Sequence, residues 1–389
     1  MSVITILYYL KKIIMDKSMK ILLVNYMETT APGGINKTVR EIAKNLSERS
    51  HEVIVLQANS FNLPEEEFYD GYKIIRIKSR FNALHELNPE MCLYLKNNLK
   101  NLNPNIIHIH GYHTLLSPTI LYLIKNMNFE VPIIFSPHFG GFSHDSFAGK
   151  HFWDIYNLFG KKFIRIPDMI ISASHFEANN IKRVLSVPEN KISIIPHGID
   201  NIDLTKNKHK EGIINLLYVG YLLELKGIQY ALEAIHELVY ERNVNVSFKV
   251  VGEGPYEYEL KKIADKLNLN DSISWEKFIH HSQFNKLHEY YKKSDIFLLL
   301  SQSENYGIVV PEALTMGTPV IVTKRTALNE FLNEQGCFGV EYPPDPKEVA
   351  DLIIKIHEND VKVGPFSEKI RTWDRIAEDY EKAYYNLIK

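Results

Sequence analysis

The sequence predicts an α/β protein built from two Rossmann-like, doubly wound domains that face a central cleft. Short β-branched runs alternate with segments of helical period from Lys20 onward, the pattern of parallel sheets with helices on their faces. A strand, a glycine-containing loop and an amphipathic helix follow one another twice, once near the start and once after residue 212. Between the two copies runs the polar, Lys/Asn-rich stretch IDNIDLTKNKHKEG, residues 199–212, which reads as a linker. Sheets of this kind bind ligands outside the carboxyl ends of their strands, so the chemistry is sought there.

The first copy opens with the strand Lys20–Asn25, which runs into a loop holding Pro32, Gly33 and Gly34. Ile35, Val39, Ile42, Ala43 and Leu46 then fall at helical spacing, so a glycine turn feeds the start of an amphipathic helix. Further strands are predicted at Glu52–Leu56, Lys73–Ile77, Asn105–Ile109, Pro132–Phe135, Met169–Ser172 and Lys191–Ile195. The second copy begins with the strand Ile213–Val219 and the loop YLLELKG. Ile228, Ala231, Leu232, Ile235, Leu238 and Val239 form its first helical stripe. Strands follow at Val246–Val251, Ser272–Trp275, Asp295–Leu300, Pro319–Val322 and Cys337–Val340. Ile370, Trp373, Ile376, Ala377, Tyr380, Tyr384 and Leu387 make a final helix whose wide apolar stripe needs a surface to cover. The expected division is residues 19–204 for the first domain, completed by 366–389 crossing back to it, and 205–365 for the second.

Of 389 residues 45 are basic and 47 acidic, a net charge of -2 with histidines neutral, which provides no field for holding a polyanion and argues against a nucleic-acid partner. With 45% apolar and 24% charged residues the chain can build a core. Cys92 and Cys337 are too few for a disulfide framework or a thiolate zinc site, and they fit a reducing, cytoplasmic setting. The longest apolar run, Val3 to Leu10, is broken by Thr5 and stops at Lys11 and Lys12, short of the ~18 residues that span a bilayer. Residues 1–18 lack a basic start and a small-residue cleavage site, and Met19 opens the strand-like KILLVNY. They are expected to be an extension, with a membrane-touching helix over YYLKKII as the alternative.

The most informative stretch is SDIFLLLSQSENYGIVVPEALTMGTPVIVTKRTALNE. A buried strand ends at Ser301, a polar loop carries Glu304, and Pro311 with Glu312 opens a helix, where proline fits the first turn. Seven residues separate Glu304 from Glu312, which places both carboxylates toward the strand ends. Gly307 leaves room for a ligand to come close, and amides at a helix start attract anions such as a diphosphate. A carboxylate chelates vicinal hydroxyls, so a nucleotide sugar matches these parts. The ordinary alternative is that acids at a helix start merely favour the helix dipole.

This stretch resembles the donor-site motif of the retaining glycosyltransferases of family four, the glycosyl transferases group 1 class with the GT-B fold. The resemblance extends over nearly the whole chain from about Met19, and it makes the first domain the acceptor domain and the second the nucleotide-sugar domain. By resemblance Glu312 bonds the ribose hydroxyls, while Glu304 with the backbone of Asn305, Tyr306, Gly307 and Ile308 holds the donor sugar. Amides of Ile308 and Val309 meet the diphosphate, and Glu330 completes the string. VGYLLELKG, Val219–Gly227, resembles the family's Gly-Arg-Leu…Lys-Gly loop and leaves Lys226 as the diphosphate ligand. Tyr221 stands where the family has Arg, which removes a charge-assisted contact worth roughly 1.5–3 kcal/mol. Either Tyr221 bonds phosphate as a neutral donor, or Arg325 or Lys37 substitutes, or the copy is inactive.

In the first domain the resemblance brings the loop at Gly33 and Gly34 near donor phosphate and acceptor. It makes His138, in SPHFGGF, a histidine whose side chain and carbonyl stabilise positive charge at the anomeric carbon. PHGID, Pro196–Asp200, and VGEGP, Val251–Pro255, resemble further signatures and read as scaffold and pocket wall. His108, His110 and His113 invite a metal reading, since residues two apart on a strand share a face. The family's His-x-His-Gly beside the acceptor cleft makes structure or acceptor contact the expectation instead. No DxD-like pair follows a strand, so no metal cofactor is expected, and Lys226 with helix amides neutralises the leaving group. Lys161, Lys162 and Arg165 among aromatics read either as core packing with a solvated face or as an acceptor edge or peripheral contact with the inner face of a membrane.

The implied activity is metal-independent, retaining transfer of a hexosyl unit from a nucleoside diphosphate sugar to a lipid, glycan or polyol hydroxyl. Rivals are a nucleotide-sugar epimerase of the same fold and an inactive sugar-nucleotide-binding homologue. An NAD-dependent oxidoreductase fits poorly, because neither Gly33-Gly34 nor Gly252-Glu253-Gly254 completes the three-glycine pattern.

Overall fold

The computed structural model describes residues 18–79, 87–127, 129–140, 147–200, 202–204, 212–279, 283–359 and 361–388. The extension expected over residues 1–18 therefore lies, apart from Ser18, outside the described residues, as do 141–146 of the aromatic stretch that follows His138. The chain forms two compact units. The first takes the chain up to Ala173, the segment Glu177–Ile195 and the chain from Trp373 on; the second takes Ser174–Phe176 and Pro196–Thr372. The change-over thus falls at Pro196, ahead of the Lys/Asn-rich stretch rather than after residue 204.

In the first unit the elements run β1 (Lys20–Val24), α1 (Gly34–Glu48), β2 (Glu52–Ala58), β3 (Glu66–Tyr69), β4 (Tyr72–Ile77), α2 (Pro89–Leu102), β5 (Ile106–His110), α3 (Leu116–Asn126), β6 (Ile133–Ser136), α4 (Phe147–Phe163), β7 (Met169–Ser172), α5 (His175–Leu185) and β8 (Ile192–Ile194). The sheet order is β3-β4-β2-β1-β5-β6-β7-β8, parallel except for β3 against β4. Ile21, Leu22, Leu23 and Val24 of the central strand are all buried, as a strand covered on both faces must be. The start of α2 shows how local chemistry sets an end: Asn88 accepts the N–H of Met91 at 2.9 Å and Pro89 occupies the first turn. The C-terminal helix, Trp373–Ile388, buries Trp373, Ile376, Ala377, Tyr380 and Tyr384 and belongs to this unit, beginning a few residues later than predicted. Its Glu381 accepts from Arg49 at 2.7 Å, and its Tyr384 hydroxyl meets His108 Nδ1 at 2.7 Å.

The second unit continues with β9 (Ile214–Val219), α6 (Ile228–His236), β10 (Val246–Val251), α7 (Glu257–Lys266), β11 (Ile273–Glu276), α8 (Phe284–Lys292), β12 (Ile296–Leu299), α9 (Val309–Thr315), β13 (Val320–Thr323), β14 (Cys337–Val340) and α10 (Pro346–Glu358). All its strands are parallel in the order β11-β10-β9-β12-β13-β14. This is the doubly wound order, and its direction reverses between β9 and β12. The loops leaving those two neighbouring strands, residues 220–227 and 300–308, therefore emerge side by side at the switch point. The corresponding reversal in the first unit lies between β1 and β5.

Candidate functional site

In the second unit the residues singled out by sequence converge on the switch point. Lys226 Nζ lies 2.6 Å from Glu304 Oε1, both side chains largely buried, and the Ser301 hydroxyl donates to the same carboxylate oxygen at 3.1 Å. The loop carrying Lys226 is pressed onto the end of β12. A Cβ on Gly227, at φ +74°, would stand 1.9 Å from the carbonyl oxygen of Leu300, so only glycine permits this approach. Gln302 N–H donates to the Leu225 carbonyl at 2.8 Å and ties the two loops together.

Glu312 sits within the first turn of α9, which starts at Val309 rather than at Pro311. It is buried and accepts the hydroxyl of Tyr291 at 3.1 Å. Burial and the neighbouring Glu312 carboxylate push the Tyr291 hydroxyl pKa well above the ordinary tyrosine value, so this group stays a donor. Gly307 has a φ of +80°, and a Cβ there would lie 2.5 Å from Leu328 Cδ2, so both the backbone conformation and the packing beneath it favour glycine. Tyr306 is buried, its hydroxyl donating to the His197 carbonyl at 3.1 Å, and the Asn305 carbonyl accepts from Ser174 at 2.7 Å. PHGID thus braces the loop that carries Glu304. Burial lowers His197 to about 4 and keeps it neutral. VGEGP braces the other loop: Leu222 N–H donates to Glu253 at 2.9 Å and Tyr256 N–H to Leu222 at 3.1 Å.

Tyr221 is 55% exposed, so the side chain replacing the family Arg projects outward from this loop. Arg325 is exposed just past β13, its guanidinium 5.1 Å from the centre of the Tyr342 ring. The Tyr342 hydroxyl lies 3.5 Å from that of Tyr230 in the first turn of α6, and Arg325, like Lys226, follows the carboxyl end of a strand of this parallel sheet. Glu330 accepts the N–H of Phe176 at 2.8 Å.

In the first unit Gly34 begins α1, and its carbonyl accepts the Thr38 hydroxyl at 2.8 Å. Lys37 is half-buried, with its N–H on the Gly33 carbonyl at 3.0 Å. His138, half-buried just after β6, has φ +52°. Its Nε2 meets His110 Nδ1 at 3.2 Å. His108 and His110 share a face of β5, their ring centres 4.1 Å apart. His108 also bonds the Ser136 hydroxyl at 2.8 Å, and complete burial lowers it to about 3, so it is neutral. Burial also lowers His113. Leu158 and Phe159 of α4 are exposed beside exposed Lys162 and Arg165, with Lys161 half-buried.

Sequence reasoning passed over Tyr291, because an aromatic on an amphipathic helix reads as core, and Glu177, because an acid near a helix start reads as solvated. Only tertiary contacts reveal either.

Residues 201–373 match the family model of glycosyl transferases group 1, and residues 32–201 match that of Glycosyltransferase Family 4. The chain belongs to this family and is a glycosyltransferase of the GT-B type. An uncharacterized glycosyltransferase of Methanocaldococcus jannaschii is 24% identical over 382 residues, which cover 90% of this chain and 94% of the relative. Sucrose-phosphate synthase from Thermosynechococcus elongatus shares the fold with a TM-score of 0.74 at 19% identity, over 95% of this chain and 96% of that one. Anabaena HepE, solved in complex with UDP and glucose, follows at 0.68 and 16% identity, over 95% and 96%. Among the described residues no helix is long and apolar enough to cross a membrane.

Proposed function

We propose that the enzyme is a retaining, metal-independent glycosyltransferase that moves a hexosyl unit from a nucleoside diphosphate sugar to a hydroxyl of a lipid, glycan or polyol. The observation that carries this reading is the Lys226–Glu304 pair at the switch point, with buried Glu312 on the next helix. Glu304, with the backbone of Asn305 to Ile308, holds the donor sugar, and Glu312 bonds the ribose. An ammonium has three donors, so Lys226 keeps Glu304 and still takes a phosphate oxygen. Together with the amides of Ile308 and Val309 it supplies the positive charge that a departing diphosphate needs, which is why no metal is invoked. Tyr221 and Arg325 border the phosphates in the second unit; by the family resemblance Gly34 and Lys37 of the first unit are assigned to the donor phosphate and His110 to the acceptor.

Bond breaking leaves positive charge on the anomeric carbon, which the His138 side chain and carbonyl stabilise. The acceptor hydroxyl enters on the face from which diphosphate departs and gives its proton to the departing phosphate oxygen, so the anomeric configuration is kept. Exposed Leu158 and Phe159 beside Lys162 and Arg165 support a cytoplasmic protein that touches an anionic membrane at its surface.

The test is thermal unfolding of the purified protein with UDP, GDP and ADP, since a ligand that binds the folded state raises the midpoint by mass action. HepE's UDP makes UDP the first probe. One of the three is expected to stabilise, and its sugar conjugate to give a product with the donor's anomeric configuration by NMR. No stabilisation by any of them, or an inverted product, overturns the reading.

A further inference from the structure

Glu177, in the first turn of α5, is 1% exposed. One carboxylate oxygen accepts the backbone N–H of Phe139 at 2.6 Å; the other accepts the N–H of Ala173 at 2.8 Å and the Ser172 hydroxyl at 3.1 Å. Burial raises this carboxyl to about 7 while the three bonds oppose the rise. Phe139 directly follows His138, whose φ of +52° a residue with a Cβ keeps only where its surroundings hold it. In a trans peptide the N–H and the C=O point in opposite directions. A grip on the Phe139 N–H therefore fixes the direction of the His138 carbonyl, and hydrogen bonding at one end of a peptide strengthens the acceptor at the other.

We propose that Glu177 is a positioning residue for the transfer reaction, holding the 138–139 peptide so that the His138 carbonyl presents a fixed, polarised oxygen to the charge developing on the donor sugar. The inference rests on the role given above to His138.

The test measures release of UDP from UDP-glucose, or the corresponding release from whichever nucleotide sugar stabilises the fold, for Glu177→Ala, Glu177→Gln and Ser172→Ala. Glu177→Ala should lower kcat at least tenfold with the donor KM within twofold of wild type. Glu177→Gln keeps an oxygen for the Phe139 N–H, giving up the Ala173 bond, which does not touch the 138–139 peptide, and should restore kcat to within about threefold. Ser172→Ala leaves that N–H bonded and should match wild type. Hydrogen exchange at the Phe139 amide should be slow in wild type and Glu177→Gln and fast in Glu177→Ala. A folded Glu177→Ala enzyme with wild-type kcat overturns the proposal. If that variant does not fold, fast Phe139 exchange in wild type, or a Gln variant that protects the amide yet loses activity tenfold, overturns it. A His138→Ala enzyme with wild-type kcat would instead sink the role of the His138 side chain and leave the backbone argument standing.

Discussion

Lys226 Nζ and Glu304 Oε1 stand 2.6 Å apart although 78 residues separate them in the chain. The pair holds the ammonium at the strand ends before any phosphate arrives, and it holds the carboxylate at the place proposed for the sugar. Replacing Glu304 or Glu312 by Gln should leave the fold intact and reduce donor turnover by on the order of a hundredfold, through loss of charge-assisted hydrogen bonds. Steady-state kinetics on both variants checks this, and wild-type turnover in both would remove the donor-site assignment.

Activity should survive EDTA. Lys226 and the amides of Ile308 and Val309 are proposed to carry the leaving-group charge that a divalent ion carries elsewhere. Complete loss on chelation, restored by Mg²⁺ or Mn²⁺, would refute that mechanism.

A second cation, Arg325 or Lys37, is expected to compensate the exchange of the family Arg for Tyr221. The alanine variant of the compensating residue should weaken binding of the preferred nucleoside diphosphate at least ~10-fold, about 1.4 kcal/mol, as much as Lys226→Ala, while Tyr221→Arg adds little. Calorimetric titration decides this. A neutral Arg325→Ala with a weakened Lys37→Ala moves the role to Lys37. Two neutral alanine variants with a tighter Tyr221→Arg mark an uncompensated loss.

Much of this was legible in advance because buried parallel strands are written as β-branched runs, and each predicted strand appears within a residue or two of its place. The strand β3 was not, since EEFY carries no apolar alternation and its residues are exposed or half-buried at a sheet edge. Its signal was the turn that follows: Asp70 and Gly71 both have positive φ, as a tight hairpin between β3 and β4 requires. The string from Glu304 to Glu312 was readable because it is contiguous. The distant partners of that string were not, because Lys226 and Tyr291 reach it only through the tertiary fold, and Glu177 meets Phe139 only once β6 and β7 lie side by side.

Stability should depend on pH through His108 and His197. Burial holds them at about 3 and about 4, below the ~6.5 of an unfolded histidine, so the unfolded chain binds more protons as pH falls. Their contribution is intact above pH ~6.5 and is lost toward pH 4. Tyr384, Ser136, His110 and Tyr380 surround His108. His108→Gln should lower stability at pH 7 yet flatten its decline from pH 6.5 to 4 in urea unfolding. An unchanged slope would count against a neutral, buried His108. Glu177 works in the other direction: its carboxyl, raised to about 7, stabilises the fold at low pH and ceases to as pH rises through 7, so Glu177→Gln should remove that loss.

Tyr384, the partner of buried His108, follows it by 276 residues. Domains usually fold in order as they leave the ribosome, at about 5–20 residues per second. Here the unit that is translated first cannot receive its C-terminal helix until the other has been made, a wait on the order of tens of seconds. During that interval the seat of the C-terminal helix on the nascent chain is an apolar surface open to chaperones. A message truncated anywhere in the second unit therefore yields a first unit that is incomplete, however much of its sheet has been translated.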